Sequence, residues 1–275
     1  MLTERPSPDR DRLSVLIGVI VLTPVLIRFI NIPARKISLD LLGSPVSFEM
    51  TSIWITATML TALSCMGANA IVRTHPRMFQ PNPPRLFMYW ILPGLTGLNA
   101  ALLLSRISTW PMWWAGLVLT GSAITLVVVS EFSAVDPFTL GYARARLTLN
   151  VIAYILAFSS FTLIYGTRGR SVLTATAISA IGMALALELF NTTEAGLDRA
   201  LLYGFITGLL LGESAWALNY WHMSTLAGGM VLLLVFYVVV GIVQQILLER
   251  LTRRMLVEFA IVAAFAFALI MRLGA

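Results

Sequence analysis

Residues 225 to 248 read TLAGGMVLLLVFYVVVGIVQQILL, an uninterrupted run without a charged side chain. A helix needs about 20 apolar residues to cross about 30 Å of hydrocarbon, and this run is long enough. The stretch therefore predicts a membrane-spanning helix, and the rest of the chain can be judged against it.

The overall composition indicates the same class of protein. Of the 275 residues, 58% are hydrophobic and 12% are charged, with a mean hydropathy of +0.86. A soluble domain is about 25% charged, so a globule of this composition would lack polar groups to cover its surface. These values exclude a soluble enzyme, a disordered tail and a fibrous repeat, and they predict an all-α polytopic membrane protein.

Eight further apolar runs have a similar length. The nine expected spans are 13–32, 50–72, 87–105, 110–131, 147–166, 171–190, 199–219, 225–248 and 254–272. The connecting segments average about ten residues, which is too short for a separate folded domain. We therefore expect residues 1–275 to form a single transmembrane bundle.

The distribution of basic residues predicts the orientation. With the N-terminus inside, twelve of the 19 Lys and Arg residues fall on the cytoplasmic side and seven fall outside. Cytoplasmic loops carry the excess of positive charge, so this split favours a cytoplasmic N-terminus in a plasma membrane or bacterial-type inner membrane. The scattered basic residues suit anionic lipid head groups as partners better than nucleic acid.

The longest regular pattern outside the spans lies at residues 37–49. Apolar and polar residues alternate on both sides of a Gly-Ser-Pro centre, which is the period of a strand. We expect a small β-hairpin on the extracytoplasmic surface. The alternative is an irregular loop, since an isolated hairpin is only marginally stable.

Residues suited to metal or redox chemistry are scarce. The chain has one cysteine and two histidines, and the histidines fall between different spans. No disulfide within the chain can form from one cysteine, and two separated histidines do not make a zinc or haem site. We therefore expect no metal and no cofactor.

Gly204, Gly208 and Gly212 are spaced four residues apart in the seventh span. This spacing places them on one helix face, where small residues allow another helix to approach closely. The pattern predicts a helix-packing face.

Glu213 follows directly after these glycines and lies about two thirds of the way across its span. A carboxylate in hydrocarbon is costly, so we expect Glu213 inside the bundle, uncharged or hydrogen-bonded. One hypothesis is a ligand pocket that also includes Trp216, Asn219 and His222. The other is a structural hydrogen bond to a neighbouring helix, with the aromatic residues as interfacial anchors.

A second set of polar residues lies at the predicted cytoplasmic ends of the spans. The binding candidates in this set are Glu131, Arg144, Arg146 and Glu188. Arg144 and Arg146 could hold a phosphate head group near Glu131 or Asp136. The alternative is a collar of solvated ion pairs that joins the helix ends.

The sequence lacks the local motifs of common enzyme classes, including GxSxG, HExxH and GxxxxGK[ST]. We therefore expect a non-catalytic multi-pass protein, a scaffold or a subunit of a membrane complex with other membrane-protein subunits as partners. Two alternatives stay open: a small-solute transporter or channel that uses Glu213, and a membrane enzyme acting on a lipid or polyprenyl substrate.

Overall fold

The computed structural model describes residues 8–30, 35–41, 44–80, 84–139, 141–167, 169–191, 196–221 and 223–274. Within these ranges there are nine α-helices. They are α1 (Arg10–Phe29), α2 (Ser52–Val72), α3 (Ile91–Leu104), α4 (Trp110–Ser133), α5 (Tyr142–Tyr165), α6 (Ser171–Phe190), α7 (Leu197–Asn219), α8 (Thr225–Leu247) and α9 (Arg253–Gly274). Two 3₁₀ turns, Pro76–Phe79 and Leu86–Trp90, lie between α2 and α3.

All nine helical segments are long and apolar enough to cross a membrane, α3 together with the 3₁₀ turn before it. The prediction of nine helices of span length is therefore confirmed by their length and hydropathy within the described residues. The largest difference in bounds is at α5, which begins at Tyr142 and not near residue 147. Arg144 and Arg146 interrupt the apolar run but are good helix formers, so the helix extends beyond its apolar part.

Two strands precede α2, β1 (Arg35–Leu41) and β2 (Ser44–Met50). They pair antiparallel, with Arg35 opposite Met50 and Leu41 opposite Ser44. Residues 42 and 43 between the strands lie outside the described residues. An extracytoplasmic location for this segment stays a prediction.

The chain divides into two compact units, residues 1–149 and residues 150–275, and the boundary falls within α5. Unit 1 buries one face each of α1, α2 and α4, where Ile20, Leu60 and Ile124 are all 0% exposed. α3 approaches α2 closely at Gly97, where an added Cβ would lie 2.6 Å from the carbonyl oxygen of Leu60. Only glycine permits this approach.

In unit 2, the glycine face of α7 packs against α6. A Cβ at Gly208 would lie 2.6 Å from the carbonyl oxygen of Ser179, and one at Gly212 would lie 3.2 Å from the Cβ of Ser179. At Gly204 the nearest atom would be the Cδ2 of Leu187, at 2.9 Å. The backbone of α7 therefore lies close to the backbone and side chains of α6 over about two turns, the geometry that small residues permit in lipid.

α8 packs against the C-terminal part of α5, and α9 packs against α8. A Cβ at Gly228 would lie 2.2 Å from the ring of Tyr165, so the ring fits directly over this glycine. Tyr237 of α8 and Phe259 of α9 meet with ring centroids 6.1 Å apart. No residue in the span-length window of α9 is buried, so much of the surface of this helix is exposed.

Candidate functional site

Glu213 lies on the exposed side of α7. The expectation that it lies inside the bundle is therefore wrong for the chain by itself. The glycines occupy the side of the helix that faces α6, and Glu213 belongs to a different side. This exposed side carries residues separated alternately by four and three positions, here called the α7 stripe: Leu202, Ile206, Leu209, Glu213, Trp216 and Tyr220.

No described residue forms an ion pair or a hydrogen bond with the Glu213 carboxylate. The residues within helical reach on α7 are all uncharged: Leu209, Leu210, Trp216 and Ala217. Trp216 and Tyr220 instead interact with each other, with the indole N–H donating to the tyrosine hydroxyl at 3.4 Å. Glu213 is thus an isolated carboxylate among apolar and aromatic side chains.

The other two candidates near Glu213 have different surroundings. Asn219 is half-buried, and its Nδ2 has no hydrogen-bond partner among the described residues. His222 lies outside the described residues. Of the four residues proposed for this pocket, Glu213 and Trp216 share the α7 stripe.

Glu131 and Arg146 are the buried charges of the second candidate site in unit 1. Their exposed fractions are 0% and 9%, and each takes part in an interaction. The guanidinium carbon of Arg146 lies 5.7 Å from the ring centroid of Tyr142. Arg144 is exposed on the same helix. This burial suits a structural role for Glu131 and Arg146, since partnered charges are the ones that interiors tolerate.

Glu188 lies near the end of α6 in unit 2, where it is 3% exposed and takes part in an interaction. On the next residue, the carbonyl oxygen of Leu189 accepts a hydrogen bond from Nε2 of Gln244 at 3.2 Å. This bond joins the end of α6 to α8. Glu188 therefore lies at a helix end that a hydrogen bond joins to α8.

His75 is a buried titratable group that the sequence analysis did not select. It is 3% exposed, and its ring meets the ring of Phe132 edge to face at 4.8 Å. Its Nδ1 accepts the backbone N–H of Arg77 at 3.1 Å and caps the 3₁₀ turn that follows. Burial lowers the pKa of His75, and the nearby charge of Asp136 opposes that shift. The sequence signal was its position directly before Pro76, which favours a turn.

Arg28 is the second residue that sequence reasoning missed. Its guanidinium carbon lies 4.5 Å from the ring centroids of both Trp110 and Trp113. Both tryptophans lie in the first turn of α4, and their relation to Arg28 depends on the packing of α1 against α4. Within the described part of the chain, no carboxylate forms a salt bridge with Arg28.

Among the described residues, no group of three or more His, Cys, Asp or Glu side chains is placed to hold a metal ion. A family model described as "Protein of unknown function (DUF5656)" matches residues 32–273. No curated protein and no solved structure matches the chain.

Proposed function

The chain belongs to the DUF5656 family, and we propose that it is a non-catalytic subunit or scaffold of a larger membrane complex. The observation that carries the proposal is the exposed, isolated carboxylate of Glu213. In this proposal the α7 stripe is the surface that a partner protein covers.

The proposal places all nine helices across a plasma membrane or bacterial-type inner membrane, with the N-terminus in the cytoplasm. Its support is the length and hydropathy of the helices together with the distribution of basic residues. Glu213 lies six residues before the last residue of α7, so it is about 9 Å from that helix end. At this depth a short glutamate side chain does not reach water easily.

The energetic argument concerns what surrounds Glu213 in the membrane. A charged side chain within the hydrocarbon costs at least about 2.5 kcal/mol, and such residues normally face protein or water. Glu258 in α9 provides a comparison, because its carboxylate is also exposed but accepts a hydrogen bond from Nε of Arg254 at 3.1 Å. Glu213 has no such neighbour on its own helix. A partner from another protein would supply the contact that the described residues do not provide.

The shape of the α7 stripe suits a helix as that partner. Residues spaced alternately by four and three positions form the seam along which two helices pack in left-handed pairs. A single polar residue in such a seam fixes the register of the two helices. We therefore propose a partner helix with a lysine, an arginine or another hydrogen-bond donor at the depth of Glu213.

The test is the size of the complex extracted from native membranes with a mild detergent. Wild type should migrate as a particle larger than the isolated 30.2 kDa chain in its detergent micelle. Glu213→Leu should release the isolated chain, because the donor of the partner loses its acceptor. Glu258→Leu is the matched control, since it also removes an exposed carboxylate from a span, and it should leave the complex intact.

A wild-type particle of the same size as the isolated chain would overturn the proposal, and so would a complex that Glu213→Leu leaves unchanged. Glu213→Gln adds a second distinction. It keeps a hydrogen-bond acceptor, so it should retain part of the complex. A transporter that couples to Glu213 would instead keep its complex and lose its transport activity with this substitution.

A further inference from the structure

We infer that unit 1 contains a binding site for an anionic phospholipid, with its phosphate at Arg28 and an acyl chain between α1 and α4. The site is separate from the α7 stripe. It rests on two features of unit 1, a partly polar pocket at Arg28 and an apolar groove, and α1 lines both of them.

The Arg28 pocket has a volume of about 310 Å³. Four elements contribute to it, and its polar lining residues are Arg28, Ser52, Thr56 and Ser105. Trp113 closes one side with a side chain that is 3% exposed. A pocket of this size admits a head group but not a helix.

The N–H donors of Arg28 have no hydrogen-bond acceptor among the described side chains. Both tryptophan rings lie 4.5 Å from the guanidinium carbon, so cation–π contacts hold the group in place. Such contacts do not use the N–H donors, which form a planar fork that matches two oxygens of a phosphate. Since no described carboxylate pairs with Arg28, the fork is available to an anionic ligand.

Ser52 of α2 adds a hydroxyl donor to the lining of the pocket. Its hydroxyl makes no hydrogen bond among the residues that the structure describes, and it begins α2. The preceding Thr51 provides no side-chain cap, and the first turn of α2 has no acidic residue. The pocket therefore combines a guanidinium with an uncapped helix start, and both favour negative charge.

The α1–α4 groove is lined by Ile17 and Val21 of α1 and by residues of α4 between Trp114 and Val129. Its volume is about 890 Å³, and it is lined by apolar residues with two hydroxyls, Ser122 and Thr125. Ile17 and Val21 line it from α1, and both lie on the same face of α1 as Arg28. They are about 16 Å and about 10 Å along the helix from Arg28. The acyl chain of a lipid whose phosphate lies at Arg28 would follow this face of α1.

The positive charge of Arg28 favours an acyl chain over a partner helix as the occupant of the groove. A helix would cover the apolar groove but would leave the Arg28 fork unused. An anionic phospholipid satisfies both features with one molecule, because its phosphate and its chains are covalently joined. A zwitterionic lipid of the same chain length offers the phosphate with a compensating cation and should bind less well.

The experiment uses the purified full chain in detergent and native mass spectrometry. Phosphatidylglycerol and phosphatidylcholine with identical acyl chains are added at equal concentration. Wild type should retain phosphatidylglycerol at least about fivefold better, and Arg28→Gln should bring that ratio to about one. Arg106→Gln is the control, because Arg106 is another exposed arginine on the same predicted side but does not line the pocket.

Two further variants test the groove. Ser122→Phe fills it, and the serine can be replaced because its hydroxyl bonds only to its own helix, to the carbonyl of Val118. This variant should lower phosphatidylglycerol retention at least about fivefold. Leu119→Phe is the matched control, since Leu119 is 70% exposed and lies outside the groove.

Several results would overturn the inference. One is an unchanged lipid ratio in Arg28→Gln, and another is equal retention by Ser122→Phe and wild type. A third is displacement of the lipid by millimolar glycerol phosphate, which would indicate a site for a free phosphate and not for a lipid. If Arg28→Gln fails to fold, Arg28→Lys replaces it and should lower the ratio, because lysine has no planar fork.

Discussion

The hydroxyl of Tyr165 donates a hydrogen bond to the carbonyl oxygen of Leu218 at 3.0 Å, and this buried bond joins the ends of α5 and α7 within unit 2. Tyr165 is 0% exposed, and its ring covers Gly228 of α8. One side chain therefore connects three helices, which makes it a sensitive place to test the packing of the unit.

Tyr165→Phe should lower the free energy of unfolding by about 1 kcal/mol, the usual net contribution of a buried hydrogen bond. The ring keeps its place over Gly228, so the loss reports the hydroxyl alone. Tyr237→Phe is the control, because the Tyr237 hydroxyl makes no hydrogen bond to any described residue. Thermal unfolding of both variants in the same detergent measures the difference, and equal midpoints would contradict the role of the bond.

The glycine face of α7 predicts a graded response to added methyl groups. Gly208→Ala would place a Cβ 2.6 Å from the backbone oxygen of Ser179, so α6 and α7 must separate, with a loss of about 1–3 kcal/mol. Gly212→Ala meets its nearest atom at 3.2 Å and should have a smaller effect. Gly18→Ala meets no atom within 4 Å and should not destabilise the chain. Unfolding midpoints in any other order would show that the two helices pack differently.

His75 predicts a dependence of stability on pH. Its folded-state pKa lies below the ordinary value of 6.5, because burial disfavours the charged ring. Above about pH 6.5 the ring is neutral in both states, so its burial is not penalised. Below that pH the unfolded chain binds a proton that the folded chain resists, and stability should fall. Thermal unfolding between pH 7.5 and 5 in a buffer series, at about half-unit steps, follows this decline.

Two substitutions isolate the contribution of His75 to that curve. His75→Asn keeps an acceptor for the N–H of Arg77 but does not titrate, so the decline at low pH should become shallower. Asp136→Asn removes the charge that opposes the downward shift, so the decline should become steeper. A curve that is identical in wild type and His75→Asn would assign the pH dependence to other groups.

Glu131 and Glu213 should respond in opposite ways when replaced by leucine in the isolated chain. Glu131 is fully buried and has a partner, so Glu131→Leu should destabilise unit 1 by about 3–5 kcal/mol. Glu213 is exposed and makes no interaction with described residues, so Glu213→Leu should change stability by less than about 0.5 kcal/mol. Chemical unfolding of the purified variants measures both. A large loss in Glu213→Leu would indicate an internal partner and would contradict the exposed position.

The sequence alone determined the helices and some of their faces. The uncharged run at 225–248 predicts a helix because only a helix satisfies the backbone groups of a single segment in hydrocarbon by itself, and α8 (Thr225–Leu247) lies there. The spacing of Gly204, Gly208 and Gly212 likewise predicts one close-packing face, because a helical period of 3.6 residues requires it. Both conclusions depend on local geometry, which a single stretch of sequence contains.

The tertiary structure decided which surfaces meet. In the structure, α6 is the neighbour of the α7 glycines, and Glu213 lies on the exposed side of α7. The guanidinium of Arg28 lies against the rings of Trp110 and Trp113. Periodicity states which residues share a face but not what lies opposite. Where all helices are similarly apolar, hydrophobicity does not choose among neighbours, so the choice depends on the fit of side chains that are distant in sequence. From the sequence, the cost of a carboxylate in hydrocarbon predicts that Glu213 needs a partner, and only the packing shows that no described residue of this chain supplies one.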